Sequence, residues 1–125
     1  MRTAAVLLAA LALVGCSQES PNVAACAVLD REIPEKSKTI QAAGSAGTQT
    51  FDDAGVAAKS LQDTAAAQAK KVDAPFDGQL TTLSDTYGRL RVSLASGDTD
   101  GLSAAISDLG PALEAVQATC QKAGE

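Results

Sequence analysis

The chain has no histidine and no tryptophan, and its only aromatics are Phe51, Phe76 and Tyr87. Each absence closes a class of chemistry. Without imidazole there is no His-ligated haem, no His-based catalytic triad and no zinc site that uses a His ligand. The carboxylate-bridged metal sites of helical bundles need Glu-x-x-His pairs and are excluded with them. No Cys-x-x-Cys occurs, and no Ser-x-x-Lys follows the leader, so a serine nucleophile lacks its lysine base. Basic charge is also scarce, with 10 Lys and Arg against 15 Asp and Glu. A net charge of −5 disfavours nucleic acid, whose phosphates need a basic surface. These exclusions point away from an enzyme and away from any cofactor or metal. The shortage of aromatics also means that the core must come from Leu, Val, Ile and many Ala.

What is present begins with a leader. Arg2 supplies a positive start, Thr3 to Leu13 carries no charge, and Leu13-Val14-Gly15-Cys16 follows. A secretory signal has this order: a short basic start, an apolar stretch of about 7–15 residues, then small residues at the cut. The apolar run falls short of the roughly 20 residues needed to span a membrane. Leu13-Val14-Gly15-Cys16 resembles the bacterial lipobox at all of its positions. The resemblance covers the leader alone. It implies that Cys16 is lipidated, that cleavage follows Gly15, and that fatty acyl chains such as palmitate anchor the new terminus. Two or more acyl chains hold a protein stably on a membrane, whereas one does so marginally. In Gram-negative bacteria an Asp after the cysteine commonly retains a lipoprotein at the inner membrane, so Ser17 favours the outer one. The expected location is therefore the cell membrane or outer membrane, with the domain on the periplasmic or extracellular side.

The chain divides accordingly into a signal peptide over 1–15, a lipidated tether over 16–21 and a domain over 22–125. Loss of Arg2 leaves 9 basic and 15 acidic residues in the mature part. With Cys16 taken by lipid, Cys26 and Cys120 remain as an even pair in an oxidising compartment, and a disulfide between them is expected.

Hydrophobic spacing then gives the fold. Phe76, Leu80, Leu83, Tyr87, Leu90 and Leu94 recur at steps of 4, 3, 4, 3, 4. Leu102, Ile106, Leu109, Leu113, Val116 and Cys120 repeat the same steps. Both are the inward stripe of a bundle helix. A fainter stripe runs through Phe51, Ala54, Ala58, Leu61, Ala65 and Val72, and another through Val23, Cys26, Leu29, Ile33 and Ile40. Ala-rich composition favours helix throughout. Cap residues are expected at Asn22, at Thr50 or Asp52, at Asp73 (with Pro75) or Asp77, and at Asp98 or Asp100. The connectors are Ala43–Gln49, about Asp73–Asp77, and Ser96–Asp100, with Gly44, Gly47 and Gly97 suited to reversals. Four helices of about 21 residues, each roughly 32 Å long, predict an all-α, antiparallel up-down four-helix bundle. In that topology the start of the first helix and the end of the fourth share one end, where the two cysteines would meet.

Two prolines, Pro34 and Pro111, fall inside helical stripes and tend to kink or break a helix. Counted from the cysteines they lie at similar heights, so a shared opening between the first and fourth helices is expected. Ser96-Gly97-Asp98-Thr99-Asp100-Gly101 resembles part of an EF-hand loop. Its first position is Ser96 and its twelfth Ser107, so too few carboxylates converge for calcium, and helix capping accounts for the same residues. The basic pairs Lys36/Lys38, Lys70/Lys71 and Arg89/Arg91 point in different directions and make no single patch. A helical pair such as Asp85–Arg89 is expected among the solvated charges.

Two functions fit. One is a non-enzymatic envelope lipoprotein that binds a protein partner, with Ala43–Gln49 and Ser96–Asp100 as the membrane-distal surface. The tether Ser17–Pro21 reaches at most roughly 18 Å, which puts the cysteine end near the membrane. The other is a carrier of a small apolar ligand, with a pocket inside the bundle near Pro34 and Pro111.

Overall fold

The computed structural model describes residues 20–42 and 48–124, and of residues 48–50 only the backbone. The leader, Cys16, Ser17 and the centre of the first connector lie outside the described residues. Four helices follow one another: α1 over Pro21–Ala42, α2 over Thr48–Ala69, α3 over Phe76–Ser96 and α4 over Thr99–Ala123. No strand occurs among the described residues. Each helix packs against its neighbours in sequence, and the chain forms the expected all-α bundle. None of the described helices is long and apolar enough to cross a membrane.

Helix α3 is the spine. All six residues of its stripe, from Phe76 to Leu94, are buried. Packed beside it, α2 contributes mainly alanines: Ala54, Ala58 and Ala65 are fully buried, with Leu61 between them. Small side chains let the two backbones approach closely. At Gly88 the Gln62 side chain lies against the backbone, where a β-carbon would stand 2.7 Å from Gln62 Nε2. Ser84 Oγ also donates to the Gln62 carbonyl at 2.9 Å, tying α3 to α2.

The fourth stripe enters the core only in part: Val116 is buried, and Leu102, Leu109, Leu113 and Cys120 pack against the core from its edge. Ile106 is 54% exposed, and Leu102, Leu109 and Leu113 are only half-buried. The buried face of α4 is Ala105, Ala112 and Val116. The cause lies across the bundle. Of the neighbouring helix pairs, α1 and α4 pack least closely. The large side chains of α4 therefore face a partly open seam, while its small residues turn into the core. On α2, Phe51 is likewise only partly covered and Val72 is buried in the connector beyond the helix.

The helix ends differ in part from the expected caps. Ser20, not Asn22, caps α1: its Oγ accepts from the Val23 N–H at 3.1 Å. Pro21 then occupies the first helical position, where its missing N–H costs nothing. Since α2 already begins at Thr48, Thr50 and Asp52 lie inside it and cannot be its cap. At the start of α3, Pro75 holds the cap position and no side chain caps it, so neither Asp73 nor Asp77 serves. Asp77 Oδ1 accepts instead from the Gly78 N–H at 2.7 Å. For α4 the expectation is met, with Asp98 Oδ1 accepting from the Gly101 N–H at 3.0 Å. The two residues between α3 and α4 reverse the chain through Gly97, at φ +71°. That left-handed conformation is open to glycine and strained for residues with a β-carbon.

Cys26 and Cys120 are joined, with S–S 2.04 Å and Cα–Cα 5.7 Å. The bond ties the start of α1 to the end of α4.

Candidate functional site

The seam between α1 and α4 is closed at one end by the disulfide and opens away from it. Two hollows adjoin along it, and Leu113 lines both. The one nearer the disulfide, about 400 Å³, lies between Leu29, Ile33 and Pro34 of α1 and Leu113 and Val116 of α4. Asp30, Gln117 and Gln121 make its margin polar, so an apolar guest would leave their polar groups poorly solvated. The other, about 370 Å³, is the candidate site.

This distal groove is built by all four helices. From α1 come Ile40, Ser37 and Gln41; from α2, Phe51. Tyr87, Leu90 and Leu94 of α3 form its floor, and Leu102, Ile106, Leu109 and Leu113 of α4 form the far wall. These α4 residues are the ones that sit at the core's edge without full burial, so the incomplete packing and the groove are one feature. Tyr87 and Leu90 are each 1% exposed, whereas Phe51 at 36% and Ile106 at 54% stand at the rim. No charged side chain lines the groove. Ligand pockets of this kind, apolar with few polar groups, run from about 300 to 1,000 Å³.

Its floor holds one unpaired polar atom. The Tyr87 hydroxyl is buried and has no hydrogen-bond partner, and no other buried side-chain N or O atom among the described residues lacks one. Burial pushes the phenol from its ordinary 10.0 up to about 12, so it stays protonated and able to donate. Ser37 lies beside it and pulls in the opposite direction, but no hydrogen bond of good geometry closes between the two.

Pro34 and Pro111 both lie inside helices. They do not share an opening: Pro34 borders the hollow near the disulfide, whereas Pro111 faces α3 beside Thr82 and Thr86. The apolar groove begins a turn beyond Pro34, at Ser37. Arg89 does not pair with Asp85 but crosses to Asp108 of α4 at 2.9 Å. Lys59 and Asp63 form an i,i+4 pair at 2.8 Å. Asp98 of the EF-hand-like segment is occupied as a helix cap. Among the described residues no group of three or more acidic or cysteine side chains is placed to hold a metal.

Sequence reasoning expected a pocket on the side of the first and fourth helices but set it at Pro34 and Pro111, and it read most of the groove's residues as core stripes. The signal was weak but present: Ser37 and Gln41 interrupt the apolar face of α1 where it would have to meet α4. No protein-family model, curated protein or solved structure matches the chain.

Proposed function

We propose that this chain is a lipid-anchored lipoprotein of the cell envelope whose bundle takes a small apolar ligand into the groove between α1 and α4, without catalysing a reaction. The observation that carries the binding part is the groove itself, about 370 Å³, mostly apolar and free of charged side chains. A fully packed bundle would have used Leu102, Ile106, Leu109 and Leu113 as core. Here they stay half-covered beside α1. The leader and Leu13-Val14-Gly15-Cys16 support the location. With a short tether before Pro21, the disulfide end faces the membrane. Ser37 to Gln41 lie 11 to 15 residues beyond Cys26, hence roughly 16–22 Å further out along the helix.

Native mass spectrometry of the protein extracted from its membrane fraction tests both parts. The expected result is an acylated Cys16 together with a non-covalent apolar molecule released on activation. Unmodified Cys16 in the soluble fraction would remove the anchor. A bare protein that takes up none of a panel of added apolar compounds would remove the ligand.

A second reading is a protein partner that inserts an apolar side chain at the same place. It is favoured by Phe51 and Ile106, which stand exposed at the rim. Crosslinks from Ile106 to an envelope protein, abolished by Ile106→Ser, would support it over a free ligand.

A further inference from the structure

We infer that the Tyr87 hydroxyl is the polar anchor of the distal groove, donating a hydrogen bond to the acceptor atom of an otherwise apolar, uncharged ligand. The inference rests on the ligand-binding reading above and names the chemical class that reading leaves open.

The Tyr87 hydroxyl has an unmet demand for a partner. A buried polar group without a partner costs about 1–3 kcal/mol, and native proteins rarely leave one. Tyr87 is 1% exposed and its hydroxyl is unpartnered. A Phe at the same point of the stripe would fill the core equally well and carry no such cost. The side chains around the groove offer little help. Ile40, Leu90, Leu102 and Leu109 carry no polar atoms, and only Ser37 and Gln41 of the lining do. Both belong to α1, on the side where the bundle is least closely packed. A guest entering the seam from there reaches the phenol as Ser37 moves aside, and its acceptor meets a donor already stripped of water.

The ligand's charge follows from the walls. A carboxylate or phosphate in this groove would find no cation, and an ammonium no anion. Burying either unpaired is far costlier than burying a neutral polar group. The phenol remains protonated at neutral pH, since burial pushes it up to about 12. It therefore acts as donor, and a carbonyl, ether or hydroxyl oxygen is the fitting acceptor. The volume of about 370 Å³ suits a short chain or a single ring system rather than a whole membrane lipid.

The test uses the full chain carrying Cys16→Ser, free of lipid and detergent, and two probes of equal chain length, 2-heptanone and 1-heptene. Calorimetric titration is expected to show the ketone binding roughly tenfold tighter, the size expected of one added hydrogen bond. Tyr87→Phe keeps the ring and removes the hydroxyl, so it should abolish the ketone's advantage, its buried carbonyl now lacking a donor, and leave heptene binding unchanged. Tyr87 is the only tyrosine and there is no tryptophan. Ultraviolet difference spectra of the unsubstituted phenol therefore give a second readout should Tyr87→Phe fold poorly. Donation to the ketone shifts the phenol band to the red, and heptene leaves it in place. Equal binding of both probes, an unshifted band, or a ketone preference that survives in Tyr87→Phe would overturn the anchor while the groove keeps its ligand. If neither probe binds, the ligand-binding reading itself falls, and the anchor with it.

Discussion

The Cα atoms of Cys26 and Cys120 stand 5.7 Å apart, although 94 positions separate them in sequence. The bond between them fastens the start of α1 to the end of α4, the pair of neighbouring helices that packs least closely. A core with two aromatics, Phe76 and Tyr87, and many alanines gains from such a closure. Closing a loop of this length removes unfolded-state entropy equivalent to about 4–5 kcal/mol, with native strain acting to lower the figure. Replacing both residues, Cys26→Ser with Cys120→Ser, should therefore shift the urea midpoint markedly downward. An unchanged midpoint would show that packing alone holds the seam.

Leu83 has no exposed surface and lies mid-way along α3. Leu83→Ala should cost about 2–5 kcal/mol, the range for deleting a buried leucine. Val92 lies on the same helix at 55% exposure, and Val92→Ala should stay within about 0.5 kcal/mol. Paired chemical denaturation of the two variants checks the contrast.

Asp98 closes the first turn of α4 through its bond to the Gly101 N–H. Removing that acceptor by Asp98→Ala should lower stability by about 0.5–2 kcal/mol. Asp100→Ala, whose side chain does not serve as the cap, should have a smaller effect. Equal losses would mean that charge near the helix start matters more than the bond.

Tyr87 predicts an alkaline limit. Its folded-state value of about 12 lies above the ordinary 10.0, so the folded protein holds this proton more tightly than the unfolded chain does. The stability linked to it is whole below pH 10 and is lost as the pH rises through about 12. With one tyrosine in the chain, spectrophotometric titration follows that group alone. A midpoint near 10 in the folded protein would contradict its burial.

Ile106 separates binding from folding. At 54% exposure it contributes little to the core, and Ile106→Ser should change stability by no more than about 0.5 kcal/mol. Standing at the rim, the same change should weaken uptake of an apolar probe several-fold, read by calorimetry. A large loss of stability would place Ile106 in the core after all.

The α3 stripe and the cysteine pair were legible because each rests on one requirement. Steps of 4 and 3 put Phe76 through Leu94 on one face, and that face had only the core to enter. The stripe of α4 obeys the same spacing, yet spacing gives a face without saying how closely the neighbour approaches. Ala105 and Ala112 were passed over because alanine marks neither a core nor a surface. The caps at Ser20 and Pro75 escaped for a related reason: several polar or restricted residues compete within one turn, and tertiary packing chooses among them. Tyr87 was legible as core and illegible as chemistry, since whether a hydroxyl finds a partner depends on side chains distant in sequence. Arg89 likewise reaches Asp108, 19 positions away, instead of the adjacent-turn Asp85.

The sulfur bridge also alters what a protease can accomplish. Every peptide bond between Cys26 and Cys120 belongs to a closed ring, including those at the exposed reversal around Gly97 and Asp98. A single nick there opens the ring without dividing the molecule, and the two halves stay attached to the same amino terminus. A second cut, whether elsewhere in the ring or outside the bridge, or a reductant, would set a fragment free. On a denaturing gel the nicked protein would run as one chain until thiol was added.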